Sequence, residues 1–261
     1  MKIVIGDKSQ ISNYFTNDYI KVSSREIPDY IFNTSYDEVH LPFGLNIKGL
    51  SSGEYIDVNY NYTLDLINFF LNKSQRVIVY STCELWSRYN GPIDINTPLN
   101  FDNNPYIYSK WMLDDKIKSI GSKKIITVYP FNFNSTYRSE HFLFGKIYKS
   151  VIKKEKIEIG FTHYYRDLLH AKYVANVCMN IKENSIIGSG RMFFVNDHIK
   201  DLYNHFDLDY NDFVEESFDK YNFIERNEYY LKGSNNYSYQ NLLTDTIEDM
   251  REYKLNEILK D

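Results

Sequence analysis

Short apolar runs alternate with longer amphipathic segments through the first half of the chain. The runs that are typical of buried strands cover residues 2–5, 19–22, 38–41, 76–80 and 124–129. Residues 57–71 and 106–120 carry apolar side chains at helical spacing, and shorter helices are expected at 9–15 and 28–32. Strands that alternate with helices in this way predict an α/β fold with a doubly wound, Rossmann-like parallel sheet.

The pattern changes in the second half of the chain. Helices are expected at residues 141–151, 171–181, 196–206 and 242–259, but the apolar runs between them are short and irregular. We therefore predict a Rossmann-like domain over residues 1–130. A smaller C-terminal part over residues 131–261 would be interleaved with it.

The composition narrows the choice of partners. The 261 residues carry a net charge of -5, so no broad basic surface indicates a nucleic-acid partner. The two cysteines, Cys83 and Cys178, are too few for a disulfide framework and fit a reducing compartment. The N-terminus lacks a signal-peptide core, and no apolar run approaches the roughly 20 residues that span a bilayer. We expect a cytoplasmic protein with no membrane partner, and no metal site is predicted.

The residues with the clearest chemistry follow the predicted strand at 76–80. That strand runs into Thr82, Cys83 and Glu84, and Tyr106 and Lys110 open a later helix. A phenol that relays a proton needs a nearby positive charge, and a lysine four residues later lies on the same helix face. Because the chain holds 25 tyrosines, the Tyr-x-x-x-Lys spacing is weak alone. The preceding strand and its hydroxyl-bearing end make it specific.

Taken together, these segments resemble a known family. The strand end STCELW, the helix opening YIYSK, the strand DEVHL and the stretches FNFNS and RDLLHAK occur in the same order in the extended short-chain dehydrogenases/reductases. This is the NAD-dependent epimerase/dehydratase family, and its GDP-mannose 4,6-dehydratases are the most similar. The resemblance covers most of the chain and is weakest at both ends.

The resemblance implies a role for each matching residue. Tyr106 would be the catalytic phenol, Lys110 its partner and a contact to the cofactor ribose, and Thr82 the group that holds the sugar oxygen. Glu84 would be a carboxylate base. Cys83 stands where the dehydratases keep a Ser or Asp that assists loss of the 6-hydroxyl, and it would contact the substrate. From the residues alone, Glu84 could also be a solvated loop carboxylate and Cys83 a small core filler.

The resemblance also implies partners. The N-terminal domain would hold NADP or NAD, and the C-terminal part would bind a nucleotide-sugar substrate through Asn132 and Arg166. Arg166 would grip the diphosphate, although it could instead form a structural ion pair with Asp167. Members of the family commonly form homodimers.

The phosphate loop departs from the family pattern. Its three glycine positions are Gly6, Ser9 and Ser12 here, and serine adds a Cβ where the backbone should approach the pyrophosphate closely. The hydroxyls could still bond phosphate at a helix N-terminus. The acidic residue that usually follows the second strand is absent, and Arg25 stands nearby. Arg25 would favour a 2'-phosphate and hence NADP, unless it is only a surface charge.

Two further departures bear on the site. Pro42 and Phe43 replace a pair of small alanines, so Phe43 could narrow the cofactor site. The C-terminal part is short, and residues 225–233 could be a remnant of the region that binds the substrate nucleotide.

Two classes of function remain open at this point. The first is an enzyme, most simply a nucleotide-sugar 4,6-dehydratase, with a 4-epimerase, a 4-ketoreductase or a decarboxylase as variants on the same scaffold. The second is a non-catalytic pseudoenzyme that keeps the fold with a degenerate cofactor site. The altered phosphate loop favours the second class. The joint presence of Thr82, Glu84, Tyr106 and Lys110 favours the first.

Overall fold

A computed structural model describes residues 1–47, 49–100, 102–217, 227–233 and 235–259. Part of the suggested remnant, residues 225 and 226, lies outside the described residues. The chain divides into two compact units. Unit 1 comprises Met1–Arg88, Asp94–Phe131 and Tyr173–Ile187, and unit 2 comprises Tyr89–Ile93, Asn132–Lys172 and Gly188–Asp261.

The strands, in chain order, are β1 Lys2–Ile5, β2 Tyr19–Val22, β3 Tyr36–Leu41, β4 Ser74–Tyr80, β5 Gly91–Ile93, β6 Ile125–Pro130, β7 Asn132–Asn134, β8 Ile157–Ile159, β9 Tyr165–Arg166, β10 Leu168–His170, β11 Ser185–Ile187, β12 Phe193–Phe194, β13 Val214–Glu216 and β14 Tyr229–Leu231. The α-helices are α1 Asp29–Phe32, α2 Ser52–Ile56, α3 Thr63–Leu71, α4 Pro105–Ile120, α5 Leu143–Lys153, α6 Ala171–Met179, α7 Val195–His205, α8 Tyr210–Phe213 and α9 Tyr239–Ile258. Two 3-10 helices cover Gln10–Tyr14 and Cys83–Trp86, and a π-helix at Asp57–Tyr62 joins α2 to α3.

Unit 1 is built on a six-stranded parallel sheet. Its strand order is β11-β6-β4-β3-β1-β2. The order reverses between β1 and β3, because the chain first moves from β1 to β2 and then returns to the other side of β1. This is the topology of a doubly wound sheet, and it confirms the predicted α/β fold class.

Both faces of the sheet are covered, as its apolar strands require. On one face α3 and α4 pack against β1, β3 and β4, and the cluster contains Ile5, Val39, Ile67, Val79 and Leu113. On the other face lie the first 3-10 helix and α6, whose Cys178 is fully buried. The core therefore follows the alternation of side chains along each strand.

His40 lies in a buried polar network on the second face. Its Nδ1 is 2.9 Å from the hydroxyl of Tyr80, and its Nε2 contacts Glu38. Glu38 also accepts from the Tyr19 hydroxyl at 2.5 Å and pairs with Arg76. These contacts give His40 a packing role within the sheet.

The first helix of the chain is shorter than expected. Residues 9–15 form only a five-residue 3-10 helix at Gln10–Tyr14. A 3-10 helix rises about 2.0 Å per residue, against about 1.5 Å in an α-helix. Because each residue covers more length, the 3-10 helix spans most of the roughly 13 Å length of a four-residue strand with few residues. This suits the short connection between β1 and β2.

Unit 2 consists of small two-stranded ladders and packed helices. β7 pairs with β10, β8 with β13 and β5 with β14 in parallel, whereas β9 and β12 are antiparallel. The helices α5, α7 and α9 pack on one another. His198 of α7 is buried between Phe144 and Tyr239, and its Nδ1 has no hydrogen-bond partner among the described residues.

Candidate active site

A hydroxyl residue and a carboxylate residue, two positions apart, follow the end of β4. Thr82 is the N-cap of the 3-10 helix Cys83–Trp86, and its hydroxyl oxygen accepts from the backbone N–H of Glu84 at 3.2 Å. Because that oxygen accepts here, the hydroxyl hydrogen can be donated to a second oxygen. Glu84 is half-buried, while Cys83 is buried, a position that favours packing.

A strong helix start fixes Tyr106. Asn104 caps α4, because its side-chain oxygen accepts from the N–H groups of Tyr106 at 3.0 Å and Ile107 at 3.4 Å, and Pro105 occupies the first turn. Tyr106 is half-buried, with its ring 6.2 Å from that of Tyr55. The helix packs against the 3-10 helix that follows Thr82. The phenol therefore lies on an element in contact with the end of β4.

Lys110 is buried one turn further along α4. Only 4% of its surface is exposed, and its ammonium donates to the backbone oxygen of Tyr80 at 2.9 Å. Burial lowers the pKa of Lys110 to about 8, because a buried ammonium loses its hydration. Since Tyr80 ends β4 two residues before Thr82, the ammonium is anchored at the strand end that carries the hydroxyl.

Asn59 holds the loop after β3 over this lysine. Its side-chain oxygen accepts from the Leu45 N–H at 2.7 Å, and its amide donates to the Leu45 carbonyl at 2.9 Å and to the Ser109 hydroxyl at 3.1 Å. Gly44 lies so close that a Cβ there would be 3.0 Å from Asn59 Oδ1 and 3.2 Å from Lys110 Nζ. Asn59 lies in the π-helix Asp57–Tyr62, and π-helices are often found at functional sites. Its hydrogen bonds join this helix to the loop after β3 and to α4.

The phosphate loop is closed on itself. The N–H groups of Gly6 and Asp7 both donate to the Val22 carbonyl, at 2.8 and 3.1 Å. The Ser9 N–H donates to Gly6 O at 3.0 Å and the Ser12 N–H to Ser9 O at 2.9 Å. The buried Ser12 hydroxyl donates to Gly6 O at 2.7 Å. Ser12 therefore stabilises the loop, and its hydroxyl hydrogen is directed at the protein's own backbone.

Two aromatic side chains lie over this loop. A Cβ on Gly6, whose φ is +119°, would be 3.0 Å from Phe43 Cβ. The Phe43 ring is 5.6 Å from that of Tyr62, and the Tyr62 hydroxyl donates to the Ser24 carbonyl at 2.5 Å. The next residue, Arg25, is exposed. The sequence pattern pointed to Phe43 but not to Tyr62.

Asn132 and Arg166, which are expected to bind substrate together with Cys83, belong to unit 2. Asn132 begins β7 and is half-buried. Arg166 ends β9, where its guanidinium donates to the Tyr165 carbonyl at 2.7 Å and lies over the Tyr164 ring. Asp167 does not follow the ion-pair alternative, because its buried carboxylate accepts from backbone N–H groups. Arg166 keeps its place as a proposed diphosphate contact.

Two classes of site find no support in the described part of the chain. No group of three or more His, Cys, Asp or Glu residues there could hold a metal ion. In the same residues, every helix is too short or too polar to cross a bilayer.

The sequence profile of the NAD dependent epimerase/dehydratase family matches residues 18–193. The chain belongs to this family. No curated protein matches the sequence. The match confirms the resemblance to the NAD-dependent epimerase/dehydratase family. It does not extend to the narrower resemblance to GDP-mannose 4,6-dehydratases.

Solved structures with the same fold include three nucleotide-sugar proteins. MoeE5, in complex with UDP-glucose and NAD, is 14% identical with a TM-score of 0.78, and the match covers 96% of this chain and 98% of MoeE5. The ADP-L-glycero-D-manno-heptose-6-epimerase of Helicobacter pylori is 12% identical with a TM-score of 0.76, covering 95% of each chain. The dTDP-glucose 4,6-dehydratase of Bacillus anthracis, in complex with NAD, is 14% identical with a TM-score of 0.72, covering 96% of each chain. At these identities the likeness concerns the fold.

The chain fits the two ends of a dinucleotide unequally. At one end, the buried ammonium of Lys110 lies near the backbone of Gly44 and is bonded to Tyr80, two residues before Thr82. These groups suit a ribose and a nicotinamide. At the other end, the N–H groups of Gly6, Asp7, Ser9 and Ser12 and the Ser12 hydroxyl are bonded within the chain. The residues at the strand end of β4 suit the cofactor, whereas these groups of the phosphate loop are already engaged.

Proposed function

We propose that the chain is an NAD(P)-dependent enzyme that modifies the sugar of a nucleotide sugar, and that it acts as a nucleotide-sugar 4,6-dehydratase. One observation carries the proposal. The buried ammonium of Lys110 is bonded to the last residue of β4, at the strand end that also bears Thr82 and Glu84. A lone buried cation is costly to the fold, which makes a functional reason for it plausible.

Tyr106 and Lys110 would move the proton of the sugar 4-hydroxyl. A positive charge nearby favours the phenolate form of a phenol, so the lysine makes the tyrosine a better base. Thr82 would hold the sugar oxygen through its hydroxyl hydrogen. A bound nicotinamide cofactor would supply the reversible oxidation of C4.

Glu84 separates the dehydratase from its variants. With C4 oxidised to a ketone, the proton on C5 becomes acidic, and a carboxylate at the position of Glu84 can remove it. The 6-hydroxyl then takes up a proton and leaves as water, which gives a C5–C6 double bond conjugated with the ketone. A hydride from the reduced cofactor would pass to C6 and a proton would return to C5, so the sugar ends with a ketone at C4 and a methyl group at C6. An epimerase or a 4-ketoreductase has no need of this second base, whereas a decarboxylase remains compatible with it.

Asn132 and Arg166 are proposed to hold the nucleotide sugar. Arg166 offers a planar fork of donors that matches a diphosphate. The resemblance to GDP-mannose 4,6-dehydratases makes GDP-mannose the first substrate to test, followed by UDP- and dTDP-glucose. Arg25, exposed after β2, would favour NADP over NAD.

The reaction in deuterated water tests the proposal. A 4,6-dehydratase releases one water and takes up solvent deuterium at C5, which mass spectrometry and NMR detect. A 4-epimerase gives an isomer without deuterium at C5. Tyr106→Phe is expected to lower turnover by about 10²-fold or more, whereas Tyr108→Phe, on the same helix, should have little effect. Full turnover by Tyr106→Phe would remove Tyr106 from its role.

A second candidate is a non-catalytic binding protein. The internally bonded phosphate loop favours it, because that loop normally receives the pyrophosphate. Such a protein would bind nucleotide sugars and show no turnover with either NAD or NADP. Assays for turnover of a nucleotide sugar with NAD and with NADP separate the two candidates, because both would bind the nucleotide sugar.

A further inference from the structure

Ligands of open parallel α/β sheets bind outside the carboxyl ends of the strands, where the strand order reverses. In unit 1 this point lies between β1 and β3. Gly6 follows β1 directly, and Phe43 is the second residue after β3. The contact between these two residues therefore decides whether the crevice is open.

The side chain of Phe43 lies directly against the backbone of Gly6. A Cβ on Gly6 would be 3.0 Å from Phe43 Cβ and 3.6 Å from its ring, and Gly6 itself is buried. The first glycine of the family's loop permits the tight turn after β1. Here the Cβ of Phe43 packs directly against that turn, so a side chain of the same protein occupies the surface beside it.

Tyr62 extends the cover to the edge of the sheet. Its ring lies against Phe43, and its hydroxyl donates to the carbonyl of Ser24, the second residue after β2. The two rings thus bridge the carboxyl ends of β1, β2 and β3. The adenosine half of a dinucleotide would need this same surface.

At the other end of the site, Gly44 is exposed and Tyr106 and Glu84 are half-buried, whereas Lys110 and Thr82 are buried. A ligand would therefore meet Tyr106, Glu84 and the backbone of Gly44 first.

We propose that this chain recognises its nicotinamide cofactor chiefly through the nicotinamide-mononucleotide half, and that Phe43 and Tyr62 set this preference. The inference rests on the proposed function, since it concerns the same site. We therefore expect the AMP half of the dinucleotide to add little binding affinity. Replacing Phe43 and Tyr62 with alanine would open a surface for the AMP half.

The test compares binding of NADH, NADPH and reduced nicotinamide mononucleotide to the full chain by fluorescence titration. The wild type should bind NADH at most about threefold more tightly than the mononucleotide. The Phe43→Ala/Tyr62→Ala variant should gain about tenfold or more for NADH or NADPH and nothing for the mononucleotide. Phe69→Ala, which removes a partly exposed aromatic ring from α3, is the control and should change neither affinity.

Each other outcome is decisive. A wild type that binds NADH or NADPH about a hundredfold more tightly than the mononucleotide overturns the inference, and this comparison needs no variant. Binding of NADH only by the opened variant would show that the two rings block the site, and it overturns the inference together with the proposed cofactor-dependent function. Absence of binding by every protein, including a folded opened variant, overturns the inference.

Discussion

The ammonium of Lys110 donates to the backbone oxygen of Tyr80 at 2.9 Å and is almost wholly buried. The partner in this bond is a peptide dipole, which stabilises a charge less than a carboxylate does. Burial therefore dominates, and the pKa of Lys110 is lowered to about 8 from a reference value of 10.5. The residue best placed for chemistry in unit 1 is thus also a source of instability.

Lys110→Met should make the protein more stable at pH 7. Between pH 8 and 10.5 the unfolded lysine keeps a proton that the folded one has lost, so wild-type stability rises with pH across this window. The free-energy cost of burying the charged ammonium is fully present below pH 8. The variant should gain up to about 3 kcal/mol at pH 7, and most of that gain should disappear at pH 10. Urea denaturation at both pH values measures the difference. An equal gain at pH 7 and pH 10 contradicts the electrostatic explanation.

Replacement of Asn59 should destabilise unit 1 through the loop that it holds. Asn59→Ala removes three hydrogen bonds and leaves the N–H and C=O of Leu45 without these partners. A buried backbone group without a partner costs about 1–3 kcal/mol, so a loss of about 2–4 kcal/mol is expected. Asn61→Ala, in the same π-helix but exposed, should cost under about 0.5 kcal/mol. Equal effects of the two substitutions would disprove that Asn59 holds the loop after β3.

His198 should make unit 2 sensitive to acid. Burial lowers the pKa of His198 to about 3 from 6.5, so it stays neutral in the folded chain while the unfolded histidine takes up a proton below pH 6.5. Stability is therefore full above pH 6.5 and falls as the pH decreases towards the folded pKa.

His198→Phe keeps a ring between Phe144 and Tyr239 and removes the titration. The variant should be about 2 kcal/mol more stable than the wild type at pH 5, relative to their difference at pH 7. Thermal melts at the two pH values measure this, with the exposed His141→Asn as the control. A variant that follows the wild type at both pH values excludes His198 as the cause.

Asp167→Asn should weaken unit 2 around the turn after β11. The buried carboxylate accepts from the N–H groups of Ser189 at 2.7 Å, Gly190 at 3.2 Å and Leu231 at 3.3 Å. An amide has one acceptor oxygen and points its N–H groups at the remaining donors, so a loss of about 2–3 kcal/mol is expected. Chemical denaturation measures it, and Asp212→Asn, at an exposed position of α8, should be neutral. A neutral Asp167→Asn would mean that the three contacts are dispensable.

The sheet could be predicted from the sequence because its strands are β-branched and apolar, and because their period differs from that of the helices. The meeting of α4 with the end of β4 came from the resemblance, since periodicity alone does not say which helix faces which strand. Asn59 is a buried polar residue on a predicted amphipathic helix, and its partners include the backbone N–H and C=O of Leu45, which no sequence pattern identifies.

The closure of the phosphate loop could not be predicted. A serine in place of a glycine can direct its hydroxyl to a ligand or back to the chain, and Ser12 takes the second option because Gly6 O lies 2.7 Å away. Tyr62 and Ser24 are far apart in sequence, and nothing in either segment indicates their hydrogen bond. Such contacts depend on how the loops fold over the sheet.

Four N–H groups at the start of the connection from β1 to β2 are held by carbonyl oxygens of the chain, those of Val22, Gly6 and Ser9. Where such a turn relies on a ligand for order, loss of the ligand loosens the edge of the sheet and exposes the chain to proteases. This chain should keep that edge intact during synthesis and storage, whatever the supply of nucleotides. Changes in ligand preference at this edge would then carry little risk to folding.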